Sequence, residues 1–382
     1  MKDRLYIRDS SIFEFETTVK ELRQSEKGFE VSLIESAFFP GGGGQEHDEG
    51  TLNGIALLDV FERDNEVWHL ISESLDPGER VLGRVDRELR VRRMQNHSGE
   101  HIISGLASKL FGAENVGFHL SDPYMTIDLS VELGEEDIGF LEFMANKAVY
   151  ENIEICSYFP ENLSEIDYRS KKETGELTRL ISIDGVDCCA CCAPHLKHTG
   201  QIGLIRISDL MRHRGGTRLT ALCGLNALLE YRALDSELRA ASQLLSAPKE
   251  QVSKHLEQRL AEIAELKQRI KTLCRESIDL RLEAADFTDG NRIEFFEDYD
   301  FELLRYWTNA AKKLCSGVAA AFSKSGNSYY YVIGSESLDM RRLIKDINAN
   351  ISGRGGGSAA MIEGKASASR EHIADYFMNT QF

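Results

Sequence analysis

Two short motifs, far apart in the chain, carry side chains of the kind that bind metal ions. In the first, His97 and His101 are four positions apart in a stretch with the periodicity of a helix. On a helix this spacing places both imidazoles on one face, about one turn apart. In the second, Cys191 and His195 have the same separation, but Pro194 lies between them and indicates a turn. A fold that joins the motifs would give a Cys-His₃ set, for which Zn²⁺ is the natural metal.

The second motif contains more thiols than one zinc ion requires. It lies in DCCACCAPHLKH, which begins at Asp187, and three further cysteines there are substitutes for Cys191: Cys188, Cys189 and Cys192. Clustered cysteines in a reducing compartment indicate metal or redox chemistry more than disulfides. CxxC pairings are also present, although a thioredoxin-like context is missing. The first motif has its own simple alternative, two exposed helix histidines, so the residues alone leave these interpretations open.

Composition narrows the class of protein. An apolar fraction of 42% and a charged fraction of 28% are typical of a globular protein in water. The N-terminal MKDRLYIRDS lacks the apolar run of a signal peptide. A membrane helix would need about 18 uninterrupted apolar residues, which the sequence does not contain, so a cytoplasmic location without membrane contact is predicted. The net charge of −17 argues against a non-specific coat on nucleic acid, but it leaves room for a local basic face.

The length of 382 residues and the changing periodicity predict an α+β, multidomain protein of four segments. Residues 1–88 contain short apolar runs punctuated by Gly, Asn and Asp, which is typical of a small β-barrel. Residues 89–225 mix helical and strand patterns, including strands from Ile202 and Thr217, and predict an α+β domain that holds both metal motifs. The predicted barrel strands are Phe13–Val19, Phe29–Ile34, Ala56–Phe61 and Val67–Ile71.

The remaining two segments have different characters. Residues 226–287 carry apolar side chains at three- and four-residue spacing with a break at Ser246 and Pro248. This pattern predicts a helical hairpin or short coiled coil that acts as a spacer or dimerisation element. Residues 288–382 predict an α/β domain. Its elements are a strand at Tyr329–Gly334, a helix near Asp339–Asn348 and a glycine loop at Ser352–Gly357 that suits either a phosphate or a structural turn.

Another glycine run lies inside the predicted barrel. FFPGGGGQEHDEG has four consecutive glycines, Gly41–Gly44, ahead of Gln45 and Asp48. Glycines permit positive φ and a close approach of the backbone to a ligand. A flexible turn is the simple alternative for this run when it is taken alone.

Together these motifs resemble the editing domain of alanyl-tRNA synthetase. HSGEH and CCAPHLKHTGQIGLIRI resemble its HxxxH and CxxxH motifs, with Cys192, Ala193 and Pro194 as departures. FFPGGGGQEHDEG resembles the family signature F-Y-P-x-G-G-G-Q-x-x-D-x-G. The helical spacer and SGRGGGSAAM resemble the DHH-associated domain that ends alanyl-tRNA synthetases, so the resemblance covers nearly the whole chain. Because the chain begins at the predicted barrel, it resembles the free-standing editing proteins of the long AlaX class.

The resemblance implies a trans-editing hydrolase that deacylates mischarged tRNA by zinc-dependent hydrolysis of the aminoacyl ester. The partner is the acceptor end of the tRNA, with seryl-tRNA(Ala) as the first expected substrate and glycyl-tRNA(Ala) as the second. A homodimer through the helical spacer and C-terminal domain is also expected. Two alternatives stay open: deacylation of another mischarged tRNA such as seryl-tRNA(Thr), and a non-catalytic zinc-stabilised protein that binds tRNA.

The resemblance also assigns roles to residues. Ser36 stands where the family has a threonine that binds the serine hydroxyl, and it is assigned to catalysis together with Gln45. The implied zinc ligands are His97, His101, Cys191 and His195. The implied substrate contacts are Gly42, Gly43, Gly44, Asp48, Arg92 and Arg218, with Arg93 and Arg214 as further candidates for the tRNA backbone. Four protein ligands would close a tetrahedral shell, so whether zinc activates water or only orients the substrate is open.

Overall fold

The computed structural model describes residues 3–170 and 178–382. The chain forms two compact units, the first ending at Leu238 and the second spanning Arg239–Phe382. Both units mix helices and strands, which confirms the predicted α+β, multidomain class. The finer division into four segments stays a prediction. Within the described ranges, no helix is long and apolar enough to cross a membrane.

The first unit begins with a closed barrel of six antiparallel strands, ordered β1–β2–β5–β4–β3–β6. A short helix, α1 (Leu5–Arg8), precedes β1 (Glu14–Ser25), β2 (Gly28–Leu33), β3 (Gly50–Leu52), β4 (Ile55–Arg63), β5 (Glu66–Ile71) and β6 (Arg80–Val85). The turns at Asn53–Gly54 and Asp64–Asn65 have positive φ at both central positions, as two-residue hairpin turns require. Phe15, Val31 and Ile71 fill the interior. The predicted barrel is confirmed, although β3 and β6 were not among its predicted strands.

The rest of the first unit packs two helices against antiparallel sheets. Its elements are α2 (Arg87–Phe111), β7 (Asn115–Ser121), β8 (Tyr124–Leu129), α3 (Glu135–Tyr150), β9 (Ile155–Tyr158), β10 (Leu180–Ile183), β11 (Asp187–Ala190), β12 (Ile205–His213) and β13 (Gly216–Cys223). The sheets are ordered β12–β13–β8–β7 and β11–β10–β9. α2 begins after Asp86, whose side chain caps it, and ends at Gly112 with a φ of 63°.

One strand of this unit starts later than predicted. The strand expected from Ile202 begins at Ile205 as β12, and the strand expected from Thr217 lies within β13. Residues Thr199–Ile202 form a 3₁₀ turn that ends at Gly203, where φ is 85°. The left-handed glycine reverses the chain, so the strand can form only after it.

The two helices predicted between residues 226 and 287 are present as α4 (Gly224–Leu245), which contains the boundary between the units, and α5 (Val252–Glu283). The second unit continues with β14 (Arg292–Phe296), α6 (Phe301–Ala311), β15 (Ala319–Ser325), β16 (Ser328–Gly334), α7 (Met340–Asn350), β17 (Gly353–Gly357), β18 (Met361–Ala366) and α8 (Arg370–Asn379). Its sheet is ordered β14–β15–β16–β18–β17, with only β14 and β15 parallel. The predicted strand over Tyr329–Gly334 and the helix after Asp339 are confirmed.

The glycine loop predicted at Ser352–Gly357 is wrong, because Gly353–Gly357 forms the edge strand β17. Two of these glycines, Gly355 and Gly357, serve a close approach between strands. A Cβ atom on Gly355 would lie 2.2 Å from the Tyr331 hydroxyl and 2.3 Å from the Glu363 carbonyl oxygen. The close contact between strands therefore explains the glycines, and no bound phosphate is needed to account for them.

Candidate metal centre

The two metal motifs meet in the first unit. His97 and His101 project from one face of α2, whereas Cys191 and His195 lie on the irregular segment that follows β11. The Cys191 Sγ lies 3.5 Å from His97 Nε2 and 3.3 Å from His195 Nε2. One ligand atom from each of the four residues lies within 4.8 Å of all the others. The three histidines are each only 2–3% exposed.

Each of the three imidazoles has its second ring nitrogen engaged by another side chain. The pairs are His97 Nδ1 with Gln45 Oε1 at 2.8 Å, His101 Nδ1 with Asp187 Oδ2 at 2.9 Å, and His195 Nδ1 with Ser98 Oγ at 3.1 Å. A metal-binding histidine usually donates its other N–H in this way, which fixes both the tautomer and the ring orientation. The arrangement leaves the Nε2 atoms facing the thiol. The cluster is therefore built as a ligand set rather than as three separately packed histidines.

Electrostatics favour the metal-binding protonation state at two members of the cluster, Cys191 and His195. Burial opposes ionisation of Cys191, but the His97 and His195 imidazoles outweigh it and hold the pKa of the Cys191 thiol well below its ordinary value. Burial lowers the pKa of His195 to about 3, so its imidazole is neutral near pH 7. A thiolate and neutral imidazoles are the forms that coordinate metals.

His101 is the cationic member of the cluster. Burial acts to lower its pKa, but hydrogen bonds with Asp187 and Cys191 outweigh burial and raise the pKa of His101 well above its ordinary value. The Asp187 carboxylate is in turn held by Arg169, through bonds of 2.7 and 2.9 Å. The Cys191 thiolate therefore faces the protonated His101 imidazole, and a bound metal would take the place of the His101 proton.

The glycine run delivers Gln45 to the cluster. Gly41, Gly42, Gly43 and Gly44 have φ values of 83°, 132°, 63° and 90°, so side chains would be strained at every position. Two backbone hydrogen bonds between Gly42 and Gln45, of 2.9 and 3.1 Å, close the turn. A Cβ atom on Gly44 would lie 2.6 Å from the Phe118 ring on β7, whereas Gly42 and Gly43 border open space. Gln45 Nε2 is buried and has no hydrogen-bond partner among the described residues.

Two buried arginines on α2 hold the other end of this loop. Arg90 is 0% exposed, and its guanidinium binds both oxygens of Asp48 and the carbonyl oxygen of Ala37. Arg93, 3% exposed, binds the carbonyl oxygen of His47 and a carboxylate oxygen of Glu46. Arg93 is too deeply buried to contact the tRNA backbone, so that expectation is wrong.

Asp48 has protein donors on both carboxylate oxygens, because the Phe39 N–H also donates to Oδ2 at 2.6 Å. Its contact with substrate stays a prediction. Arg92 and Arg218 lie at the surface, paired with Asp122 at 3.2 Å and with Asp128 at 2.6 and 2.8 Å. Their contacts with tRNA also stay predictions.

Ser36 lies in the barrel half of the unit. It is 3% exposed, and its Oγ lies 2.8 Å from Nε2 of His69, a buried residue of β5. None of the contacts found for Ser36 in the described ranges reaches the four ligands, so its catalytic role stays a prediction.

The surplus thiols are separate from the ligand set except for Cys189, which lies within 4.8 Å of the ligand atoms of His101 and Asp187. Cys192 is exposed, and Cys188 is half-buried on β11. The eight cysteines all lie in the described ranges and are free, so neither CxxC pairing forms a disulfide there.

Comparisons with known proteins agree with the motifs. Residues 178–219, which include Cys191 and His195, match the family model described as the threonyl and alanyl tRNA synthetase second additional domain. The alanyl-tRNA editing protein AlaX-L of Pyrococcus horikoshii is 24% identical, over 98% of this chain and 97% of its own length. The predicted resemblance to alanyl-tRNA editing proteins is confirmed.

Longer relatives contain the same region. An alanine–tRNA ligase of Methanococcus maripaludis is 27% identical over 97% of this chain, and one of Halobacterium salinarum is 28% identical over 87%. The chain spans 42% and 38% of the length of these ligases. A solved structure, the C-Ala domain of Aquifex aeolicus alanyl-tRNA synthetase, aligns with 23% of this chain and 87% of its own at 21% identity, with a TM-score of 0.21.

Sequence reasoning missed the residues that support the ligands. Asp187 and Ser98 both stand inside the quoted motifs, next to Cys188 and His97, and acidic or hydroxyl residues beside ligands are a usable signal. Arg90 and His69 carry no such signal. Their partners are distant in sequence, so only the fold shows their roles.

Proposed function

We propose that this chain is an aminoacyl-tRNA deacylase that hydrolyses the ester of a mischarged tRNA and releases the free amino acid and intact tRNA. The observation that carries the proposal is the buried Cys-His₃ cluster, in which every imidazole is oriented by a second side chain. The similarity to an alanyl-tRNA editing protein along nearly the whole chain supports the same reaction.

The residues fit Zn²⁺. Mixed nitrogen and sulfur donors in a set of four are those that zinc takes in proteins, and His97, His101, His195 and Cys191 would hold it through Nε2 and Sγ. When bound, zinc supplies Lewis acidity toward an ester carbonyl or a water molecule. The four donors would fill a tetrahedral shell, so we infer that zinc mainly orients the end of the tRNA.

Gln45 is the proposed group for the developing negative charge on the ester. Its Oε1 accepts a hydrogen bond from His97, and the planar amide therefore fixes Nε2, a donor that has no partner in the part of the chain that the structure describes. A buried donor fixed in advance stabilises an oxyanion more strongly than a donor in water. Gly42 and Gly43, which border open space, would let the backbone of the substrate approach.

The proposed substrates are seryl-tRNA(Ala) first and glycyl-tRNA(Ala) second. The support is the hydroxyl of Ser36, at the position where the resemblance implies recognition of serine. A site that hydrogen-bonds a substrate hydroxyl discriminates far better than an apolar pocket of the same shape.

The direct test is deacylation of radiolabelled seryl-tRNA(Ala), glycyl-tRNA(Ala), alanyl-tRNA(Ala) and seryl-tRNA(Thr), with and without a zinc chelator. Rapid, zinc-dependent loss of the seryl-tRNA(Ala) ester with alanyl-tRNA(Ala) spared is the expected result. Selective loss of seryl-tRNA(Thr) would keep the chemistry and replace the substrate. Survival of every ester while tRNA binds would favour the non-catalytic zinc-stabilised protein instead.

We also propose that the chain forms a homodimer through α5. This helix of 32 residues carries a row of apolar side chains that are each 47–59% exposed: Leu256, Leu260, Ile263, Leu266, Ile270 and Leu273. A stripe of this length with charged residues between its members is the usual seam of a coiled coil, and the α5 of a second copy offers the same seam. Light scattering should give the mass of a dimer for the wild type and of a monomer for a Leu260→Glu, Ile263→Glu variant, with Gln258→Glu as the matched control.

The assignment of the last segment to a DHH-associated domain is proposed on the resemblance alone, and the cytoplasmic location is proposed on the composition of the sequence.

A further inference from the structure

A fully buried histidine in the barrel takes no part in the metal centre. His69 lies on β5 and is 0% exposed. Its Nδ1 lies 3.0 Å from the Val31 carbonyl oxygen, and its Nε2 lies 2.8 Å from Ser36 Oγ. The ring of Phe38 packs edge-on against the imidazole at 5.5 Å between centroids. Both nitrogens are therefore engaged, and the imidazole is held in one orientation.

These contacts fix where the imidazole proton lies. A carbonyl oxygen can only accept a hydrogen bond, so Nδ1 carries the proton and donates it to Val31. Burial lowers the pKa of His69 to about 4, so the ring is neutral near pH 7 and Nε2 is an acceptor. Since Nε2 accepts, the hydroxyl of Ser36 must donate to it.

The donated proton determines what Ser36 can offer to a ligand. A hydroxyl has one O–H and two lone pairs. Its O–H is used by His69, and one lone pair accepts the Phe38 N–H at 3.2 Å. The remaining lone pair can only accept. Ser36 therefore prefers a ligand group that donates, such as a hydroxyl, over a hydrogen atom or a methyl group.

The segment that carries Ser36 is fixed to the metal-binding helix. Arg90 of α2 donates to the carbonyl oxygen of Ala37 at 2.7 Å and binds Asp48, which in turn accepts from the Phe39 N–H. The same helix carries His97 and His101. Ser36 thus belongs to the framework that supports the ligands, although it does not contact them.

We propose that His69 is a specificity-determining positioning residue: by accepting the Ser36 proton, it commits Ser36 to accept a hydrogen bond from the hydroxyl of a seryl ester. The inference rests on the deacylase function proposed above. An alanyl or glycyl ester has no side-chain donor and would leave the Ser36 lone pair unpaired. The Ser36–His69 pair would therefore raise the rate of deacylation for seryl esters relative to alanyl esters.

The test is a double-mutant cycle on the full chain loaded with zinc, with kcat/KM measured for seryl-tRNA(Ala) and alanyl-tRNA(Ala). His69→Leu removes both hydrogen-bonding groups, and His69→Gln retains an acceptor and a donor. We expect the seryl-to-alanyl ratio to fall about tenfold or more in His69→Leu, and to stay within about threefold of wild type in His69→Gln. If His69 acts through Ser36, His69→Leu should lower the ratio no further in a Ser36→Ala background.

Zinc content and thermal unfolding are measured for every variant. Val60→Ala is the control for a destabilised barrel, because Val60 is buried there and its side chain has no polar group. If His69→Leu does not fold, His69→Asn, which is too short to span both partners, takes its place with the same expected result. An unchanged ratio in a folded His69→Leu or His69→Asn variant would overturn the inference, and so would an equal loss for both esters. Failure of the proposed function appears differently: the wild type itself would cleave neither ester, and the inference would fall with it.

Discussion

The barrel and the metal centre both bury imidazoles almost completely, yet they use them in opposite ways. His69 in the barrel meets a hydroxyl, a carbonyl and an aromatic ring, and burial outweighs its hydrogen bond with Val31 and lowers its pKa. His101 in the metal centre meets the Asp187 carboxylate and the Cys191 thiol, and these outweigh burial. Burial by itself therefore does not make a histidine a metal ligand. It becomes one when anionic partners converge on one side and an orienting group occupies the other nitrogen.

The largest expected effect on the metal centre comes from removing the Cys191 thiol. Cys191→Ala should abolish stoichiometric zinc binding and with it deacylation, because the three imidazoles lose the anion on which they converge. Metal content of the purified protein and the rate of ester loss are the measurements. Cys156→Ala, which alters an exposed thiol on β9, should leave both unchanged. Zinc retained at one ion per chain in Cys191→Ala would show that the Cys191 thiol is not required to hold the metal.

Burial of His69 should make the free energy of unfolding depend on pH in the acidic range. The pKa of His69 is about 4 in the fold against an ordinary value of 6.5, so between these pH values the unfolded chain binds a proton that the fold does not. The neutral imidazole therefore costs no stability above pH 6.5, and stability is lost as the pH falls toward 4, by about 3 kcal/mol. The measurement is the free energy of unfolding across this range, by denaturant titration of the metal-free protein. Over the same range the His69→Gln variant should lose about 3 kcal/mol less stability than the wild type. An equal loss in both proteins would contradict the assignment.

The orienting group can be tested apart from the ligands. Asp187→Asn should weaken zinc affinity about 10- to 100-fold while retaining all four ligands, because the amide no longer holds His101 as a carboxylate does. Competition with a chelator measures this change. The matched control is Asp128→Asn, which breaks the surface pair with Arg218. Equal affinity in the Asp187 and Asp128 variants would mean that the orienting contact does not matter.

The smallest expected effect lies at the surface. Arg92→Ala should weaken tRNA binding only a few-fold and lower the dependence of binding on salt by about one ion, without changing zinc content. Filter binding at several salt concentrations is the measurement. A large loss in the rate of hydrolysis at saturating tRNA would instead place Arg92 in the active site.

Local spacing predicted the parts of the molecule that repeat with a fixed period. His97 and His101 share a helix face because four positions make about one turn, and the apolar residues of β2 alternate as in a strand with one buried face. The meeting of the two motifs could be predicted because their side chains together form a set of zinc ligands. The pairs Arg90–Asp48, Arg169–Asp187 and Ser36–His69 could not, because each joins residues whose separation carries no period.

The two glycine-rich segments also show how little local sequence says about tertiary contacts. The run at Gly41–Gly44 was predicted to be a loop and is one, whereas Gly353–Gly357 carries a similar composition and forms a strand. Composition states only that side chains are absent. In the first case positive φ requires that absence, and in the second the nearness of β18 requires it at Gly355 and Gly357.

The two buried arginines that hold the glycine loop lie on the same helix as two metal ligands, which limits how the sequence can change over time. Arg90, Arg93, His97 and His101 follow one another along α2 at steps of three and four residues, which keeps them on a single face. Inserting or deleting one residue between Arg90 and His101 would turn one part of that face by about 100° relative to the other. Substitutions can therefore accumulate at the half-buried and exposed positions of α2, but the length of this stretch must be inherited unchanged.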